Sequence, residues 1–192
     1  MAAVDSQPSR EGSAPRIVAL TGFMGAGKTS VGRVLAMLLG WRFVDLDQEI
    51  EGGEKLPIRE IFRLRGEPEF RRLETAALRR LLAEVSSPAV IALGGGTFFQ
   101  AANADLLREA GARVVFLEPT IEEMIARCCA ETRPLGANLR PLAADADAFR
   151  ALYAERLPQY RKADLTVNTA GRTVEDNARA IAASLQPEAG AR

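Results

Sequence analysis

The segment Gly22-Phe23-Met24-Gly25-Ala26-Gly27-Lys28-Thr29 constrains this chain more than any other. It matches G-x-x-x-x-G-K-[ST], with an apolar run, Ile17 to Leu20, leading in and an amphipathic stretch, Lys28 to Leu39, leading out. The spacing has a physical cause. Glycines let the backbone curl until successive N–H groups point inward as an anion nest. A helix starting near Lys28 adds the positive end of its dipole. Gly25, Ala26, Gly27, Lys28, Thr29 and Ser30 are then expected to hold a nucleoside triphosphate. Lys28 reaches the β- and γ-phosphates, and the Thr29 hydroxyl ligates Mg²⁺. A glycine-rich turn with no ligand matches eight residues equally well, but the flanking strand and helix argue against it.

Short apolar runs alternate with longer stretches of helical period, which implies βαβ units around a parallel sheet. Strands are expected at Arg16–Thr21, Arg42–Asp45, Ala89–Leu93, Arg113–Leu117 and Leu165–Asn168, covered by helices on both faces. Thr120 and Glu123 read as a capping box, and Val174, Ala178, Ile181 and Leu185 as the inner face of a last helix packed on the sheet. The partition is one domain over 16–186, with disordered tails over 1–15 and 187–192. Within it, about 132–147 carries two prolines, a glycine and few large apolar residues, and reads as a mobile lid.

With 25 basic and 25 acidic side chains the formal charge is zero, so the surplus of cations that a nucleic-acid partner needs is missing. No apolar run approaches the ~20 residues that span a bilayer. Cys128 and Cys129 are adjacent, too strained a pair for a structural disulfide, which suits a reducing cytoplasm; both are expected to fill a helix face. Histidine is absent, so a general base near neutrality falls to a carboxylate, a perturbed Lys or Cys, or the substrate itself. A monomer is expected.

Asp45 and Asp47 close the second strand, and alternation places both on one side of its C-terminal end, where open α/β sheets bind ligands. One acid near a metal and one near an acceptor hydroxyl suits phosphoryl transfer. No Asn-Lys-x-Asp occurs, which disfavours a GTPase.

Phe70-Arg71-Arg72-Leu73-Glu74, then Leu78, then Val90-Ile91-Ala92-Leu93-Gly94-Gly95-Gly96-Thr97-Phe98 follow in order, with Ile61-Phe62 and Gly66-Glu67 ahead of them and Arg156-Leu-Pro-Gln-Tyr160 after. Together with the phosphate loop, this pattern resembles the shikimate kinase family from Ile17 to Asn168. The resemblance implies an α/β, three-layer P-loop kinase fold, a five-stranded parallel sheet flanked by helices, as in nucleoside monophosphate kinases. It implies transfer of the γ-phosphoryl of ATP to shikimate, giving shikimate 3-phosphate in chorismate and aromatic amino-acid biosynthesis. In that frame Asp47 holds the acceptor hydroxyl as base, and Asp45 helps place Mg²⁺ through water. Arg71 and Arg156 clamp the substrate carboxylate, Glu74 orients Arg71, and Gly94, Gly95 and Gly96 border the ring, with Gly95 contacting its hydroxyls. The residue types make sense without the name. Planar guanidinium forks suit a carboxylate, Glu74 lies one helical turn beyond Arg71, and a side-chain-free backbone admits a polyol. Phe62 and Phe70 fit either the core or the wall of that pocket.

The family usually has one Arg-Pro-Leu in its lid, whereas this chain has Arg133-Pro-Leu135 and Arg140-Pro-Leu142. Register from Arg156 and Tyr160 assigns Arg140 to the phosphates, and leaves the adenine side to Arg127 or Arg133. The loop from Asn168 to Arg172 is expected to border the adenine as well. Two rivals stand beside this reading: a kinase of the same fold acting on gluconate, and a nucleotide-binding sensor without transfer. Intact Lys28, Thr29, Asp45 and Asp47 weigh against the sensor.

Overall fold

The computed structural model describes residues 15–132 and 145–185. The element order is β1 (Ile17–Thr21), α1 (Lys28–Leu39), β2 (Arg42–Asp45), α2 (Leu46–Glu54), α3 (Ile58–Glu84), β3 (Ala89–Ala92), a 3-10 turn (Thr97–Phe99), α4 (Ala101–Glu109), β4 (Arg113–Glu118), α5 (Ile121–Thr132), α6 (Ala146–Tyr160), β5 (Leu165–Asn168) and α7 (Val174–Ser184). The five strands form one parallel sheet in the order β2-β3-β1-β4-β5. All five expected strands are present, with ends shifted by at most one residue.

This strand order decides where a ligand can sit. From β1 the chain passes to the edge strand β2, returns to place β3 between β2 and β1, then crosses to build β4 and β5 outward on the other side. The crevice opens beyond the C-terminal ends of β1 and β3, at the point where the order reverses. The phosphate loop leaves β1 there, and the glycine run leaves β3 beside it.

The sheet is buried on both faces. Val18, Leu20, Val90, Val115 and Leu117 pack with Val31, Leu35, Met124, Phe149, Ala178 and Ile181 from α1, α5, α6 and α7. Ile17, Ala19, Val44, Ile91 and Val114 pack on the opposite face with Ile50, Ile61, Phe70, Leu78 and Leu107 from α2, α3 and α4. Each fully buried aliphatic side chain contributes roughly 1.5–3 kcal/mol, so the central strands anchor the loops at their ends. Leu185 follows α7 and is buried, completing the expected apolar face, and α7 lies along α1 as well as β5.

Three local features shape the crevice. Gly25 and Gly27 have φ of 74° and 85°, a left-handed backbone that favours glycine. α3 bends at Gly66, φ 78°, ahead of Pro68, so its second half redirects Phe70, Glu74 and Leu78 inward along one face. Thirdly, β2 ends at Asp45, whose side chain caps α2 by accepting from the Asp47 and Gln48 N–H groups at 3.1 and 3.4 Å. Asp47 is therefore in the first turn of a helix, and the two acids share the crevice through a cap rather than through strand alternation.

Thr120 and Glu123 form the expected reciprocal capping box, at 3.0 and 3.2 Å. The ends of the expected lid are helical, since Thr132 closes α5 and Asp145 caps α6. Residues 133–144, with Arg133 and Arg140, lie outside the described residues, as do 1–14 and 186–192. No described helix is long and apolar enough to cross a membrane.

Candidate active site

The phosphate loop is held from below. A Cβ placed on Gly25 meets the Met124 carbonyl at 2.6 Å and the Cys128 sulfur at 3.0 Å. The loop thus rests on α5, and Cys128, 2% exposed, fills that helix face as expected. Lys28 Nζ donates to the carbonyls of Gly22 and Phe23 at 2.8 and 3.0 Å, which holds the ammonium across the mouth of the loop. Thr29 Oγ1 donates to Asp45 Oδ2 at 2.7 Å. The other Asp45 oxygen is engaged by the α2 cap, so this carboxylate joins the phosphate loop to the helix bearing Asp47.

Arg127 Nη1 donates to the Gly25 carbonyl at 3.1 Å. Its neighbour Glu123 accepts from Gly171 N–H at 2.9 Å; that bond, with those from Thr120, holds the Glu123 carboxyl below its ordinary range. One turn of α5 therefore ties Arg127, the phosphate loop and the 168–172 loop together.

The Gly94–Gly96 run is where the parts meet, and each glycine faces a different one. A Cβ on Gly94 meets Asp47 Oδ1 at 2.8 Å and Glu74 Oε1 at 2.9 Å. On Gly95 it faces the Gly22 carbonyl and Met24 N, both at 3.8 Å. On Gly96 it meets Arg71 Nη1 at 2.5 Å and Nη2 at 2.7 Å. None of the three has a left-handed φ. At Gly94 and Gly96 a Cβ lacks room because Asp47, Glu74 and Arg71 occupy the space, whereas at Gly95 it would make only ordinary contacts with the phosphate-loop backbone.

Arg71 is fixed on three sides. Nη1 donates to Glu74 Oε2 at 3.0 Å, Nη2 donates to Glu67 Oε1 at 2.9 Å, and Cζ lies 5.3 Å from the Phe70 ring centre. Burial works against the Arg71 charge, yet Glu74 and Glu67 outweigh it and hold its pKa above the ordinary value. Glu74 is fully buried and accepts as well from Thr97 Oγ1 at 2.5 Å and Gln100 Nε2 at 2.6 Å. Arg156 comes from α6 on the far side, with Cζ 5.7 Å from the Phe23 ring and 5.4 Å from the Phe99 ring. Its contact with Phe23 places it at the phosphate loop.

The expected residues Lys28, Thr29, Asp45, Asp47, Arg71, Glu74, Gly94–Gly96 and Arg156 thus gather at one crevice, with Arg127 at its α5 edge. Phe70 is core, packed against the partly exposed Phe62 at 4.4 Å between ring centres. Sequence reasoning passed over Gln100 and Phe99, and quoted Glu67, Thr97 and Tyr160 without a role. Glu67 had a local signal, four residues before Arg71 on one helix. The others act across long separations and had none.

Comparison with known proteins agrees with this geometry. The family model for shikimate kinase matches residues 24–186. The chain belongs to the shikimate kinase family. It is 46% identical over 165 residues to the shikimate kinase of Geobacter metallireducens, covering 85% of this chain and 88% of that one. It is 40% identical over 175 residues to that of Moorella thermoacetica, covering 90% and 95%. Among solved structures it is similar to a shikimate kinase from Acinetobacter baumannii in complex with shikimate, with a TM-score of 0.76, 37% identity, and 88% and 91% of the two chains covered. Membership in the shikimate kinase family sets aside both rivals, the gluconate enzyme and the sensor.

Proposed function

We propose that this protein transfers the γ-phosphoryl of ATP to the 3-hydroxyl of shikimate, giving shikimate 3-phosphate and ADP on the route to chorismate. The observation that carries the reading is the glycine run, which seats an acid, Asp47, and a guanidinium, Arg71, one residue either side of a glycine facing the phosphate loop.

In this reading Arg71 and Arg156 take the substrate carboxylate from opposite sides, Glu74 fixing the first and the Phe23 and Phe99 rings sheathing the second. Asp47 accepts the proton of the attacking hydroxyl as its oxygen bonds to the γ-phosphorus and the bond to the β–γ bridging oxygen breaks. Lys28 exchanges its two carbonyls for the β- and γ-phosphates. Arg140 covers the transferring group, and Arg127 or Arg133 borders the adenine. The hydroxyl of Thr29 and the carboxylate of Asp45 are hard oxygen donors side by side, which fits Mg²⁺. Among the described residues no group of three or more His, Cys, Asp or Glu could hold a metal, so Thr29 and Asp45 would be its protein contacts. Bound there, the ion neutralises phosphate charge. A monomer in the cytoplasm, with no nucleic-acid or membrane partner, belongs to the same proposal.

ADP release from ATP and Mg²⁺, measured with and without shikimate, tests the reading. Release is expected to depend on shikimate and to collapse in Asp47→Asn. Shikimate-independent release, or full turnover in that variant, overturns it.

A further inference from the structure

Arg156 and Tyr160 lie four residues apart on α6 and share a helix face. Tyr160 Oη donates to the Gly95 carbonyl at 2.5 Å, and Gln159 Nε2 donates to the Phe98 carbonyl at 3.2 Å. The end of α6 is thereby fastened to the segment that leaves β3, across 65 and 61 residues of sequence. The Tyr160 ring has no freedom of its own. It stacks on Phe116 of β4 at 5.2 Å and 14°, and meets Phe99 edge-on at 5.3 Å and 84°.

The bond has a consequence for the glycine run. In a trans peptide the carbonyl and the N–H point to opposite sides of one rigid plane. A fixed Gly95 carbonyl therefore fixes the Gly96 N–H, which points away from Tyr160. Neither the Gly95 nor the Gly96 N–H donates to any protein group among the described residues, and both residues are partly exposed. Core packing alone asks only for an aromatic ring at position 160. The hydroxyl spends its hydrogen bond on the one glycine of the three that faces the phosphate loop.

We infer that Tyr160 is a positioning residue for the acceptor: its bond to Gly95, backed by Gln159, sets the Gly95–Gly96 peptide and holds Arg156 at a fixed distance from it. The inference rests on the proposed function, since it assigns the positioned groups to the shikimate carboxylate and ring.

Steady-state kinetics on the full chain test it, with shikimate and ATP varied separately. Tyr160→Phe is expected to raise the shikimate KM about five- to tenfold, with the ATP KM and kcat within about twofold of wild type. Gln159→Ala, which leaves the ring in place, is expected to move the same constant less. In an Arg156→Lys background the Tyr160→Phe penalty is expected to shrink, because the two residues act as one unit. An unchanged shikimate KM in both single variants overturns the inference. So does an equal rise in both KM values, or full additivity with Arg156→Lys, since a merely structural role predicts these. Wild-type protein without shikimate-dependent turnover would instead sink the functional reading itself.

Discussion

The Arg71 guanidinium lies 3.0 Å from the carboxylate of Glu74, which is fully buried and takes two further hydrogen bonds from Thr97 and Gln100. Arg71 itself stays partly exposed at the crevice. The buried partner thus acts as a fixed post for a cation that stays open to the crevice. Glu74→Ala leaves the Thr97 and Gln100 donors without an acceptor and frees Arg71 to rotate. The expected outcome is a stability loss of about 2–4 kcal/mol by denaturant titration, with a shikimate KM at least tenfold higher.

Gly94 faces Asp47 and Glu74 and Gly96 faces Arg71, two groups that the proposed function gives different roles. Alanine at Gly94 pushes on the Asp47 and Glu74 carboxylates together, so kcat is expected to fall about a hundredfold while the chain still folds. Alanine at Gly96 pushes on Arg71, and the shikimate KM is expected to rise more than kcat falls. Matching kinetic changes in the two variants would falsify this division of roles.

Asp45 combines a cap with a bond to Thr29. Asn caps a helix about as well as Asp but carries no charge, so Asp45→Asn is expected to keep stability within about 1 kcal/mol. The Mg²⁺ concentration needed for half-maximal turnover should rise severalfold. Titrating the metal into chelator-treated enzyme checks both parts.

Arg140 is assigned to the charge that spreads over the transferring group. Its loss is expected to lower kcat about 10³-fold with little change in shikimate affinity. A normal rate in Arg140→Ala moves the role to Arg133 or removes it.

Burial pushes the Tyr160 phenol up to about 12, against the opposing charge of Arg156, from an ordinary value of 10.0. A raised folded-state pKa contributes stability that is fully present below about pH 10 and is lost as pH rises toward 12. Stability should therefore fall through that window, and fall less in Tyr160→Phe. Burial raises Tyr153 too, so phenolate absorbance of the native protein, which has two tyrosines, should develop late for both.

Where partners lie close in sequence, the sequence was enough. The phosphate loop needs only a strand, six loop residues and a helix start, all within Ile17–Leu39, and the Arg71–Glu74 pair needs only one turn of α3. The central strands β1, β3 and β4 could be placed because burial on both faces leaves short apolar runs, whereas the edge strands β2 and β5 carry one buried residue each. Asp47 lies at the crevice, but not by the strand alternation that was expected. A carboxylate cap at Asp45 ended the strand one residue earlier than Leu46, and that choice depends on side-chain hydrogen bonding rather than on alternation.

The local motif alone pointed to a nucleotide's phosphates, and only the resemblance singled out Arg71 and Arg156 among many arginines. Tertiary structure decided how those groups are spaced. Gly94–Gly96 sits where β3 ends beside β1, so the side chains missing at Gly94 and Gly96 make room for Asp47 and Glu74 and for Arg71, while Gly95 faces the phosphate loop. Tyr160 reaches the same run from 65 residues away. Such contacts follow from strand order and sheet packing, which no local stretch of sequence encodes.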